Sequence, residues 1–228
     1  MANAVLSRNA GRGLIAAVVA LGLAAGGCAT GKEEQVRKIQ ARNAYDQGGS
    51  NFREGRVSLG LAALQEAVQL DPDNAVYHNA LGVAQLQLRR WPEAQASFEK
   101  AVALDGAYAE AYHNLGLALA RQGRLDQAVV SYRKALTFPT YPSPELAYHN
   151  MGDAYLRLGK LREAEESLRQ ALQLEPKNQF SYYLLGVVLA EAGRKDEATS
   201  VFRQARDLDP SSSVGLLTVE ALKTLETR

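Results

Sequence analysis

Glycine recurs at Gly82, Gly116, Gly152 and Gly186, at intervals of 34, 36 and 34 residues, each time inside a stretch with helical apolar spacing. Set in register on those glycines, residues 75–108, 109–144, 145–178 and 179–212 are copies of one unit, and a weaker copy occupies 41–74. Each copy holds two apolar-periodic stretches of about a dozen residues with a stop between them, the pattern of a helical hairpin. A lone hairpin cannot bury its apolar face, so successive copies must stack on one another. The expected fold is all-α, a solenoid of helix pairs.

The columns of the repeat say how the helices meet. Glycine inside a helix costs about 1 kcal/mol against alanine, so one that recurs in a single slot marks a close contact with the paired helix. Ala94, Ala128, Ala164 and Ala198 fill the matching small slot on the second helix, and Ala67, Ala101, Ala135, Ala171 and Ala205 form another small column. Such columns suit tight helix packing. Leu64, Phe98, Tyr132, Leu168 and Phe202 are the large residues that key between them. Gly55, Gly123, Gly159 and Gly193 end the first helix as left-handed caps do. Arg89 holds that slot in the second copy, where Pro92 opens the next helix. Pro72, Pro176 and Pro210 punctuate the turns between copies. Val214–Glu226 has helical spacing, so residues 213–228 are expected to cover the last copy's core as a capping helix. The first copy departs from the rest: Gly48, Gly49 and Ser50 crowd its first helix, and Gly60 replaces the small-slot alanine. It is either a frayed terminal copy or an edge that orders when a partner docks.

The N-terminus reads as a targeting segment. Residues 1–12 carry Arg8 and Arg12 and no acid; an apolar run from Leu14 to Ala25 follows, then Gly-Gly-Cys. A charged start, a short apolar run and small residues are the parts of a secretory signal. The run is about 12 residues, short of the roughly 20 that a spanning helix needs. Cys28 is the single cysteine, which rules out an intrachain disulfide. Residues 28–40 are expected to be a polar tether, with a helix starting near Lys32 or Glu33.

Charge and motifs exclude several function classes. The formal charge is +1; loss of residues 1–27 removes Arg8 and Arg12, so 26 bases become 24 against 25 acids, or −1. A nucleic-acid binder needs a basic patch, so none is expected as partner. His78, His113 and His149 all fall in Tyr-His-Asn tripeptides. Repetition places them on successive helices about 10 Å apart, too far for ligands that must each lie about 2 Å from one ion. There is no glycine-rich phosphate loop, nucleophile turn or zincin helix motif. No enzyme activity, metal, cofactor or small-molecule substrate is expected.

The glycine, alanine and aromatic columns resemble the tetratricopeptide (TPR) family. That resemblance implies that the inward face of each first helix lines a concave binding groove. By it the groove residues are His113, Asn114, Leu117 and Arg121 in one copy, His149, Asn150, Asp153 and Arg157 in the next, and Tyr183 and Val187 in the last. Asparagines such as Asn114 and Asn150 can hydrogen-bond an extended peptide. Some relatives clamp a peptide's terminal carboxylate with lysines, arginine and asparagines; here Val83, Leu117 and Val187 occupy such slots, implying a mixed, apolar groove. "LAAGGCA" likewise resembles a bacterial lipobox, with Ala25 where leucine is usual. It implies cleavage before Cys28 and acylation of its thiol. Ala29 then leans towards the outer membrane, since Asp in that place would favour inner-membrane retention.

The copy ending at Pro144 is two residues longer than the others, and Pro139, Pro142 and Pro144 forbid a continued helix there. An extended connection is expected, with Tyr141 available to pack on a neighbouring loop. It is either a neutral insertion or a family feature. Lipobox, copy number and this junction together resemble the TPR lipoproteins that serve as type IV pilus pilotins, the PilF/PilW/Tgl group. The resemblance implies an outer-membrane, lipid-anchored adaptor that helps a secretin subunit assemble, held at the membrane by acylated Cys28. The alternative is a general cell-envelope scaffold that docks peptidoglycan enzymes or another outer-membrane complex.

Overall fold

A computed structural model describes residues 10–227, with side chains from residue 31 onward. Two compact units make up the chain, Met1–Pro72 and Asp73–Arg228. The first contains α1 (Ala10–Arg53) and α2 (Val57–Leu70). The second contains α3 (Ala75–Gln87), α4 (Trp91–Leu104), α5 (Ala109–Arg121), α6 (Leu125–Leu136), α7 (Pro144–Arg157), α8 (Leu161–Leu174), α9 (Gln179–Glu191), α10 (Lys195–Leu208) and α11 (Ser213–Glu226). The described residues contain no strand.

In the first unit, α1 is one unbroken helix of 44 residues. The expected start near Lys32 or Glu33 is therefore corrected: the helix is already formed at Ala10. No proline interrupts Ala10–Arg53, and its glycines weaken the helix without ending it. The side chains of the expected signal segment 1–27 and of Cys28 lie outside the described residues. Residues 31–40 are exposed all round, and burial begins at Ala41. The expected tether is thus a bare helical arm, about 15 Å long at 1.5 Å per residue. Among the described residues no helix is long and apolar enough to cross a membrane.

The departures of the first copy have a steric cause. A methyl group on Gly60 would lie 2.5 Å from the Phe52 ring, and one on Gly48 would lie 2.7 Å from Leu64. Gly48 is the equivalent of the later repeat glycines, and Gly60 is small because Phe52 sits against it.

The second unit repeats one contact four times. A Cβ on Gly82 would meet Phe98 at 2.6 Å; on Gly116, Gly152 and Gly186 it would meet Tyr132, Leu168 and Phe202 at 2.5 Å. Each of those four side chains is fully buried, and so is each alanine of both small columns. The large residue rests on bare helix backbone, so the glycine is set by a side chain of the paired helix. The last pair is covered by α11, whose Thr218 and Leu222 are buried. Ser212 caps α11 by accepting from the Gly215 N–H at 2.9 Å, and its hydroxyl donates to Gln179 Oε1 at 2.7 Å. Gln179 Nε2 also donates to the Ala205 and Asp209 carbonyls at 2.8 and 2.7 Å. One side chain thereby ties the start of α9 to the end of α10 and the start of α11.

Gly123, Gly159 and Gly193 adopt φ of 77°, 70° and 78°, and Arg89 is forced into the same left-handed region at 58°. That conformation costs a residue with a Cβ about 1–2 kcal/mol, partly offset by the greater freedom glycine has when unfolded. Arg89→Gly is expected to stabilise the chain by about 1 kcal/mol. A rise in urea midpoint at constant m-value would show it; an unchanged or lower midpoint would refute it.

Candidate protein-binding groove

The face of the second unit formed by α3, α5, α7 and α9 is built around a hydrogen-bonded row. Asn114 Nδ2 donates to Asn79 Oδ1 at 3.0 Å, and Asn79 Nδ2 donates to the Tyr108 hydroxyl at 3.1 Å. On the next helix Asn150 Nδ2 lies 3.4 Å from His113 Nε2, and the Tyr141 oxygen lies 2.7 Å from His113 Nδ1. A neutral His113 with its proton on Nδ1 satisfies both contacts: it donates to Tyr141 and accepts from Asn150. One pair further, His149 Nδ1 is 2.7 Å from Ser181 Oγ.

These contacts correct the place assigned to His113. It is not an exposed groove residue: it is 7% exposed, with its ring against Tyr132 and Tyr141. Burial lowers its pKa from 6.5 to about 4, because a charged ring would lose its water. His149 is half-buried beside Phe180, and burial lowers its pKa as well. Asn114, Leu117, Asn150, Asp153, Tyr183 and Val187 are half-buried, and Arg121 and Arg157 are exposed. Arg157 Nη1 lies 3.5 Å from Asp153, one turn away.

The insertion is also different from the expectation. The Tyr141 N–H donates to the Phe138 carbonyl at 3.0 Å, closing a turn where an extended segment was expected. Pro144 sits at the first position of α7, where its missing N–H costs nothing. Phe138 stacks on Tyr112 at 5.9 Å with the Lys134 ammonium 5.0 Å from its ring centre. Tyr141 points the other way and is 7% exposed. Burial, then the Glu145 and Glu110 carboxylates, raise its pKa. The extra residues thus supply a side chain that braces His113.

A cleft of ≈ 500 Å³ opens where the insertion meets α5, lined by Glu110, Asn114 and Leu117 on α5 and by Tyr141, Ser143 and Leu146. Sequence reasoning missed Glu110 and Leu146. Both lie six residues before a repeat glycine, and so do Val76 and Phe180. Val76, Leu146 and Phe180 are 44%, 43% and 43% exposed, so this slot presents an apolar residue to solvent in three copies out of four. Phe180 stacks on Tyr183 with centroids 6.1 Å apart. Repeat spacing would have found the slot. The Tyr-His-Asn tripeptide hides it, because Asn79 lies three residues before its glycine and Asn114 and Asn150 only two. Among the described residues no three His, Cys, Asp or Glu side chains converge as a metal site would require.

Tetratricopeptide repeat models match residues 149–213 and 108–177, and a further TPR repeat model matches 87–123. The chain is a helical solenoid of tetratricopeptide repeats. TPR proteins are protein-binding scaffolds, and the row of asparagines, the cleft and the exposed apolar slot give this one a surface of that kind. No curated protein matches the chain. Among solved structures it is similar to PilW, a widely conserved type IV pilus biogenesis factor, with 22% identity and a TM-score of 0.71 over 82% of this chain and 90% of that one. Pseudomonas aeruginosa PilF gives 20% identity and 0.71 over 84% and 89%. YrrB, a TPR protein with an unusual peptide-binding site, gives 20% and 0.67 over 83% and 96%. At these identities the likeness is one of fold.

Proposed function

We propose that this TPR protein is an outer-membrane lipoprotein that assists assembly and localisation of a type IV pilus secretin, acting by binding and not by catalysis. The observation that carries the reading is the match of fold to both PilW and PilF over more than four fifths of the chain. Cys28 behind its apolar run supplies the anchor. Two or three acyl chains on it hold stably where one would not, at about 0.8 kcal/mol per buried CH₂. The exposed arm over residues 31–40 sets the repeats off from that anchor. Holding a bound secretin subunit at the surface raises its local concentration where the ring must form.

The test is the state of the secretin in outer membranes from cells lacking the gene, read as heat-resistant multimer against monomer. The multimer is expected to vanish, to return with wild type, and not to return with Cys28→Ser. An unchanged multimer would overturn the reading and turn the search towards envelope enzymes as partners.

A further inference from the structure

Along α5 the groove residues change character in a fixed order. Glu110 comes first, Asn114 and Leu117 follow at successive turns, and Arg121 ends the helix. Glu110 and Glu145 lie in the first turns of α5 and α7, Glu110 lining the cleft, and neither makes an ion pair among the described residues. Arg121 and Arg157 lie in the last turns of the same two helices, beyond the cleft, and Arg157 Nη2 lies 3.5 Å from the Ala120 carbonyl. Asp153 offsets one of these two cations. The first turns therefore carry two carboxylates without an ion pair among the described residues, and the last turns carry two arginines against one carboxylate. Apolar Leu117 lies between them, and Leu146 lines the cleft beside the acidic end. Asn114 Oδ1 and Asn150 Oδ1 accept no hydrogen bond from the described residues.

We propose that the groove reads an extended peptide by charge order: a basic residue at Glu110 and Glu145, an apolar side chain in the cleft, and an acidic residue at Arg121 and Arg157. This rests on the groove being the protein-binding surface, and it names what that surface selects. The spacing follows from helix geometry. Eleven residues of α5 separate Glu110 from Arg121, about 17 Å at 1.5 Å per residue. An extended chain covers that in about five to six residues at roughly 3.3 Å each, and a separation of six keeps both end side chains on one face. The free asparagine oxygens take backbone N–H groups on the way, which fixes the peptide without reading its side chains.

The probe is a capped, fluorescein-labelled heptapeptide Lys-Ser-Leu-Ser-Phe-Ser-Asp, whose Lys, Leu, Phe and Asp share one face when extended, titrated with the full chain by anisotropy. Three comparison peptides have Lys at both ends, Asp at both ends, or serine in place of both Leu and Phe. Exposed ion pairs contribute up to about fivefold each, so the mixed-end peptide should bind about fivefold tighter than either same-charge peptide. The serine-core peptide should not bind. Glu110→Gln should abolish the advantage over the Asp-ended peptide, and Arg121→Gln the advantage over the Lys-ended one. Both positions are exposed, so helical content should be unchanged. Added salt at about 1 M, where the Debye length is about 3 Å, should erase the preference and leave apolar binding.

Equal binding of all three charged peptides, or binding of the serine core, would overturn the charge order. Leu117→Arg, scored by secretin multimer, separates that failure from failure of the broader reading. Multimer lost with no charge preference among peptides means the groove binds but does not read charge. Multimer retained with Leu117→Arg, where loss of the gene abolishes it, means that another surface serves assembly, while the peptide titration alone decides the charge order.

Discussion

Gly116→Val is expected to destabilise the chain by about 3 kcal/mol, although valine is the better helix former by about half a kcal/mol. A Cβ at this position would lie 2.5, 2.6 and 3.0 Å from three atoms of the Tyr132 ring. The ring is 1% exposed and has no free side to move towards. Valine adds two further methyls to that clash, so Tyr132 must leave its rotamer or α5 and α6 must separate. Because each pair in a stacked array is held chiefly by its neighbours, the loss at an interior pair is felt on both sides. Two controls make the result specific. Gly106→Ala, with nothing within 4 Å of the added methyl, should stay within about 0.5 kcal/mol of wild type. Tyr132→Ala alone should cost about 3–5 kcal/mol, yet Gly116→Val with Tyr132→Ala should cost less than the sum, since each change makes room for the other. Strict additivity in urea unfolding would mean that the ring does not rest on the glycine.

The same pair of residues shows what a single sequence can reveal. A constraint that acts on backbone and recurs at a fixed period leaves one residue type per slot, and Gly82, Gly116, Gly152 and Gly186 were legible for that reason. So were the glycine caps, including the irregular one at Arg89, whose φ of 58° keeps the glycine conformation without the glycine. Side-chain direction is a different matter. A shift of one residue turns a helix face by 100°, and the Tyr-His-Asn tripeptide is shifted in exactly this way between Asn79 and its later copies. His113 was therefore assigned to the groove surface when it lies beneath it, held by Tyr141 from a segment 28 residues away. No periodicity reports a contact made once. The bracing role of the insertion was invisible for that reason, as was the dependence of Gly60 on Phe52 within the first unit. The exposed slot of Val76, Leu146 and Phe180 was legible in principle and was masked by a more conspicuous motif.

Tyr141→Ala is the second large effect expected, at about 3–5 kcal/mol, the usual cost of deleting a buried aromatic side chain. The milder Tyr141→Phe keeps the ring and removes the partner of His113 Nδ1; leaving that buried group unsatisfied should cost about 1–3 kcal/mol. A neutral loop insertion would show neither. The pH dependence gives an independent signature. The folded pKa of His113 is depressed to about 4, so between about pH 6.5 and 4 the unfolded chain holds a proton that the folded one does not. Stability from this group is therefore complete above pH 6.5 and falls as pH drops through the window, by about 3 kcal/mol in all. Removing the Tyr141 ring lets water reach His113, which brings its folded pKa back towards 6.5 and flattens the curve. Tyr141→Ala should thus be less stable than wild type at pH 7 but lose less of what remains on going to pH 5. A curve that keeps the wild-type slope would place the source of the pH dependence elsewhere, with half-buried His149 the next group to replace.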